Sequence, residues 1–254
     1  MPLLHTRQEG QGPTVVLSHA LGCDLSMWDE VAALLAPDHT VLRYDHPGHG
    51  QSGGQASDIH AMADATAALL RELGQGPVHF VGLSMGGMVA QSLAARHPSL
   101  LRSITIANSA AWYDAPSRAL WDARVQTVQA LGMASITEGA LQRWFTPEFR
   151  QDPLRGEARV NSLRPVLLDC DPQAYAASCQ AVAGIDFRAS NPQVRCPTLV
   201  IAGTRDEATP VALSEAIAQA IPEARLTSLE AAHLSAVEQP EAFAQALRAF
   251  WADL

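Results

Sequence analysis

The stretch from Pro77 to Pro98 restricts what this chain can fold into more than any other. A short apolar run, Val78 to Val81, leads into Gly82-Leu83-Ser84-Met85-Gly86, and a helical pattern follows with Met88, Val89, Leu93 and Ala94 on one side. The spacing predicts a strand, a very tight turn and a helix, with Ser84 at the bend. A serine at such a turn holds strained backbone angles, and the residues two places away must lack bulk. Gly82 and Gly86 meet that need. The hydroxyl is then pushed out over the end of the sheet, facing the free N–H groups and positive dipole end of the helix that begins at Met85. Glycine-rich junctions also occur by chance, so the rest of the chain must support the reading.

That support comes from the alternation of elements. Thr14 to Ser18 reads as a buried parallel strand, running into the small-residue loop His19-Ala20-Leu21-Gly22. A short edge strand is expected over residues 3 to 8, and Ser26 with Asp29 resembles a capping box for a helix through Leu35. Val41 to Tyr44 is the next strand, a helix runs from Asp58 to Leu73, and Leu101 to Ala107 is a further strand. From about 112 to 187 the pattern is helical, broken at Pro116, Gly132, Pro147, Pro153 and Pro165. Strands return at Thr198 to Ala202 and Ala224 to Leu229, with helices over Val211 to Ile221 and Pro240 to Trp251. The expected fold is therefore α/β: a mostly parallel central sheet with helices on both faces and an inserted helical cap. The core spans 1–111 and 187–254, the cap 112–186.

A serine nucleophile needs a base, an orienter for the base and donors for an oxyanion. Asp206 lies just past one resumed strand and His233 just past the next, on the same sheet edge as Ser84. Taken singly, Asp206 could cap the helix after Pro210, and His233 could be an ordinary loop histidine. Together with Ser84, in the order Ser, Asp, His, they form a catalytic set. Backbone N–H groups of Leu21 and Met85 are the expected oxyanion donors, with His19 in a supporting role. His46 and His49 read as loop residues, and no acidic or cysteine partner stands at metal spacing from them, so no metal site is expected. Gly48, Gly50 and Gly53 match a dinucleotide fingerprint, but they do not open a helix, and a tight loop explains them.

Composition closes several alternatives. The 254 residues suit one α/β domain, with 48% hydrophobic and 17% charged residues. Net charge is −9 and lysine is absent, which excludes lysine Schiff-base chemistry and a phosphate-loop lysine. An acidic chain without a basic run is not expected to bind nucleic acid or a membrane surface. Cys23, Cys170, Cys179 and Cys196 have neither a paired motif nor scaffold density, so reduced thiols and a cytoplasmic location are expected. No leader-like or membrane-length apolar segment is read.

The Gly-Leu-Ser-Met-Gly-Gly, Gly-Thr-Arg-Asp and Ala-Ala-His-Leu-Ser stretches resemble the α/β-hydrolase superfamily over essentially the whole chain. Leu21 to Trp28, Ile106 to Ala111 and Arg143 to Thr146 resemble, more narrowly, the 3-oxoadipate enol-lactonases. The resemblance implies a cofactor-free serine hydrolase of aromatic-compound catabolism that opens a small enol-lactone to an oxo acid. An anionic substrate would then need a local cation, and Arg143 is the candidate, with Trp144 and Trp28 as pocket lining. Two departures stand out. Pro47 sits where relatives carry arginine in the loop after Asp45, and most of the family's first strand is missing, so a sheet one strand short or a late start is expected. Rival readings are a general carboxylesterase on small esters and a cofactor-free perhydrolase or haloperoxidase. A non-catalytic receptor or scaffold would gain nothing from retaining all three of Ser84, Asp206 and His233. A dehalogenase would carry aspartate at the elbow. Oligomeric state is not legible.

Overall fold

The computed structural model describes residues 4–254. Residue 3, the start of the expected edge strand, lies outside the described residues. The chain forms β1 (Thr6–Glu9), β2 (Thr14–Ser18), α1 (Asp29–Leu35), β3 (Thr40–Tyr44), α2 (Ile59–Glu72), β4 (Val78–Leu83), α3 (Met85–Arg96) and β5 (Leu101–Ala107). Five helices follow before the next strand: α4 (Ala115–Leu131), α5 (Ala134–Trp144), α6 (Pro147–Gln151), α7 (Gly156–Leu168) and α8 (Pro172–Ala183). The chain ends with β6 (Thr198–Gly203), α9 (Val211–Ala220), β7 (Arg225–Leu229), α10 (Ser235–Glu238) and α11 (Pro240–Ala252).

Among the described residues the seven strands form one sheet, ordered β1-β3-β2-β4-β5-β6-β7, with only β1 antiparallel to its neighbour. The order reverses between β3 and β4, and right-handed crossovers then place α1 on one face and α2 and α3 on the other. The helix contacts agree: α2 packs on α3, and α1 on α11. The central strand β4 is buried at every residue, which is why it reads as a continuous apolar run rather than an alternation.

Two local expectations are corrected. Asp24, not Ser26, caps the turn ahead of α1, accepting from Ser26 N–H at 2.9 Å. Asp29 instead pairs with the buried Arg43 of β3, which also bonds Glu9 at 2.5 Å. A cation buried on a strand needs such carboxylates, and the spacing of Ser26 and Asp29 could not reveal a partner so far along the chain. In the helical segment, Pro116 and Pro147 lie in the first turns of α4 and α6, where a missing N–H costs nothing. Pro165 lies inside α7 rather than breaking it.

The inserted helices leave and rejoin the sheet at one neck. Trp112 bridges Asp186, and Phe187 N–H donates to Ala111 carbonyl at 2.8 Å. Within the insert α4 packs on α8, and α5 on α4 and α7. A second seam joins the insert to the last loop of the core, where Leu234 N–H donates to Trp144 carbonyl at 3.0 Å. Among the described residues no helix is long and apolar enough to cross a membrane.

Candidate active site

The parallel register brings the carboxyl ends of four strands together. Gly82 of β4 stands level with Ser18 of β2 and Ile106 of β5. The loops leaving β4, β5, β6 and β7 therefore deliver Ser84, Asn108, Asp206 and His233 to one edge.

Ser84 sits at φ 57, ψ −114 between β4 and α3, a region that a residue with a side chain adopts only when its surroundings force it. Ser84 N–H donates to Ala107 carbonyl at 2.8 Å, and Ser109 hydroxyl donates to Ser84 carbonyl at 2.8 Å. The flanking glycines are required by contact. A Cβ on Gly82 would lie 2.0 Å from Gly86 carbonyl oxygen, and one on Gly86 would lie 2.1 Å from Ser18 carbonyl oxygen.

Ser84 Oγ lies 3.0 Å from His233 Nε2, and His233 Nδ1 lies 2.9 Å from Asp206 Oδ2. Asp206 also accepts from Thr209 hydroxyl at 2.7 Å and Asn108 amide at 2.9 Å on the same oxygen, and from Ala208 and Thr209 N–H groups on the other. Burial pushes the Asp206 carboxyl up, but His233 and these donors together outweigh it and hold the group below its ordinary value. The carboxylate so held can fix the His233 tautomer with Nδ1 protonated and Nε2 free to accept from Ser84. Asn108 was not singled out as a site residue by sequence reasoning. Its backbone is at φ 47, and its side-chain oxygen accepts from Ser235 hydroxyl at 2.6 Å, which leaves the amide aimed at Asp206. Its signals in the sequence are its place directly after a buried strand and its membership of the Ile106 to Ala111 stretch that resembles the enol-lactonases.

The N–H groups of Leu21 and Met85 are taken up by no other group among the described residues. Leu21 lines the cavity beside Ser84 and His233, and Met85 opens α3. His19 fixes that loop from behind. Its Nδ1 lies 2.7 Å from Ala20 carbonyl, and its Nε2 accepts from His46 N–H at 2.9 Å, which makes it neutral with the proton on Nδ1. His46 and His49 lie in the loop after β3, as their sequence context suggests, but neither faces solvent. Both are buried, packed edge-on or tilted against His19 with ring centroids 4.6 and 5.2 Å away. Burial lowers all three histidines, His19 to about 4 and His49 to about 3. The loop after β3 is held without an arginine at position 47. Asp45 accepts from Leu25 N–H at 2.8 Å and Gln51 N–H at 2.9 Å, with His5 Nδ1 at 2.8 Å.

The cavity over Ser84 has a volume of about 420 Å³ and is walled by Tyr113, Trp121, Arg124, Arg143, Trp144 and Tyr175. Arg143 and Trp144 thus stand where a substrate would lie. Trp28 does not: it is fully buried in the core, 5.7 Å from Phe243 between ring centroids. Its apolar bulk suits either place, and periodicity could not separate them. Larger open depressions of about 710 and 1030 Å³ lie along the 48–57 loop and α8, away from Ser84.

Glu238 secures the seam between insert and core. It is buried, and its carboxylate accepts from Ala232 N–H at 3.0 Å, from Thr146 N–H at 3.3 Å and from the Thr146 hydroxyl. One carboxylate therefore ties the loop carrying His233 to the turn that follows Trp144.

A strained serine at the strand-to-helix turn, a histidine and aspartate from the following strands, and a helical insert over them define a hydrolase architecture. The family model for the alpha/beta hydrolase fold matches residues 13–240, and the chain belongs to that family. Among its relatives, 3-oxoadipate enol-lactonase 2 of Acinetobacter baylyi is 36% identical over 93% of this chain and 88% of its own length. The crystal structure of the enol-lactonase from Burkholderia xenovorans LB400 superposes with a TM-score of 0.93 at 34% identity, covering 98% of this chain and 96% of that one. A thermophilic esterase from Thermogutta terrifontis, solved with malate bound, gives 0.90 at 30% identity over 98% and 93%.

Proposed function

We propose that this chain is a serine hydrolase that opens a small enol-lactone of the 3-oxoadipate enol-lactone type, through an acyl-enzyme, in aromatic-compound catabolism. The observation that carries the reading is the line Ser84 Oγ, His233 Nε2, His233 Nδ1, Asp206 Oδ2 at 3.0 and 2.9 Å, open to a cavity with an arginine wall. The enol-lactonase relatives add the substrate class.

The chemistry follows from placement. His233 Nε2 takes the Ser84 proton as Oγ attacks the lactone carbonyl, and Leu21 and Met85 N–H groups receive the oxyanion. Collapse breaks the acyl carbon–ring oxygen bond. The ring oxygen leaves as an enol protonated from His233, a better leaving group than an alkoxide, and the enol becomes a ketone. Water, deprotonated by His233, then attacks the acyl carbon, and the product carboxylate leaves with Ser84 restored. Asp206 holds the imidazole throughout and stabilises its charged form. Arg143 anchors the substrate carboxylate and Trp144 walls the ring. Water is the only other reagent in this scheme. The division of the chain into a core of residues 1–111 and 187–254 and a cap of residues 112–186 belongs to the same proposal.

A carboxylesterase on small open-chain esters is the second reading, favoured by the Thermogutta terrifontis esterase at 30% identity. The malate bound to that esterase is a dicarboxylate. Turnover of freshly generated 3-oxoadipate enol-lactone, set against a short-chain p-nitrophenyl ester with Ser84→Ala as blank, separates the two. Preference for the lactone is expected. Ester turnover with an inert lactone would leave Ser84 as nucleophile and overturn the lactonase reading.

A further inference from the structure

The cavity holds a second arginine. Arg124 of α4 and Arg143 of α5 wall the same space above Ser84, and both are half-buried. Neither has a carboxylate partner within ion-pair distance among the described residues. Glu207, exposed at the same mouth, attracts Arg143 from a distance but bonds to neither. Arg124 is held in place: its guanidinium stacks over Trp121 at 5.3 Å from the ring centroid and donates to Tyr175 hydroxyl at 3.5 Å. Burial first, and then the positive charge of Arg124, push Arg143 below the usual arginine range.

Two like charges on the wall of one cavity, partly withdrawn from water and without an ion-pair partner, oppose folding unless a ligand supplies the missing charge. An acidic protein with carboxylates to spare leaves these two guanidinium groups unpaired at the mouth of its reactive cavity. We infer that Arg124 joins Arg143 in a two-guanidinium subsite for the carboxylate on the acyl part of the substrate, so that the pair, and not Arg143 alone, sets the preference for charged over neutral acyl groups. The inference rests on the reading of Ser84 as nucleophile for its catalytic consequence. The binding itself does not depend on that reading. The carboxylate stays on the acyl chain after ring opening, so the same pair holds the acyl-enzyme while water attacks. The released product, carrying two carboxylates, should also compete for the site.

The test compares kcat/KM for the mono-p-nitrophenyl ester of adipic acid with that for p-nitrophenyl hexanoate, which has the same chain length and no charge. The wild type should prefer the charged ester. Arg124→Gln and Arg143→Gln should each lower the charged-to-neutral ratio about tenfold or more, the worth of one charge-assisted hydrogen bond. Arg124→Lys should restore part of it. A ratio unchanged in Arg124→Gln, or a parallel fall for both esters, would overturn the subsite. Binding is read separately as the rise in melting temperature of the Ser84→Ala protein with adipate. That rise should be lost when Arg124→Gln is added, and its survival would overturn the inference. If Ser84→Ala keeps its ester turnover while the adipate effect still requires Arg124, the nucleophile assignment falls and the subsite stands.

Discussion

The sheet edge and the helical wall facing it are built on different principles. At the edge, backbone geometry dictates the residues. Ser84 is strained, its flanking glycines have no room for a Cβ, and Asp206 is satisfied by four donors besides His233. On the wall, Arg124 and Arg143 are half-buried and carry no carboxylate partner among the described residues. The edge is complete without a ligand and the wall is not. The edge should therefore set whether any ester turns over, and the wall which one does.

The largest effect should come from the edge. Ser84→Ala should lower kcat by at least about 10⁴-fold for charged and neutral esters alike. Asp206→Asn should follow at about 10³- to 10⁴-fold, because the imidazole loses its tautomer and its counter-charge. Stopped assays with both esters check this, and a substrate-dependent loss would break the division between edge and wall. Asn108→Ala removes one hydrogen bond to the Asp206 carboxylate. It should lower kcat by about ten- to hundredfold, the worth of a bond to a charged group. The charged-to-neutral preference should stay intact, since Asn108 acts through Asp206 and not on the substrate.

Glu238 joins the two regions, and Glu238→Gln should show it. The carboxylate accepts three hydrogen bonds from neutral donors. An amide in its place turns an NH₂ toward one of them, at a cost of about 1–3 kcal/mol in denaturant unfolding. Because one end of the contact is the loop of His233 and the other the turn after Trp144, both kcat and the ester preference should move. A variant that loses stability and changes neither would show that the seam is only structural.

How much of this was legible follows the same line. Ser84, Asp206 and His233 could be read because each sits where a buried strand ends, and glycines mark the elbow. The place of Leu21 in the loop after β2 was legible for the same reason. The helices α4 to α8 were legible as helices, but which of their faces meets the sheet edge depends on packing that no local pattern records. Arg124 looked like any helix arginine, and Trp28 like a possible wall. Asp29 found Arg43 and Glu238 found Thr146 across spans that periodicity does not reach. The buried state of His46 and His49 depended on His19 closing over them from another loop.

The smallest effect concerns acid, and it tests whether the support behind the edge is as tightly packed as the edge itself. His19 and His79 are lowered to about 4 and His49 to about 3, each first by burial, and His46 is lowered well below its ordinary value for the same reason. In the unfolded chain all four return to about 6.5. Between about pH 6.5 and pH 4 the unfolded state therefore binds more protons than the folded one, and stability rises with pH across that window. The contribution is fully present above pH 6.5 and is lost as pH falls toward 4. Unfolding free energy from urea titrations should accordingly be flat near neutrality and decline from pH 6.5 downward, before Asp206 and the other lowered carboxylates begin to protonate. His79, bonded to Ser103 at 2.7 Å near the start of β4, is the member outside the cluster behind the loop that follows β2. His79→Phe should reduce the slope by about one proton and leave the neutral-pH ester kinetics to the edge. A slope that stays the same would mean that His79 carries its proton in the folded protein and that its burial does not govern its charge.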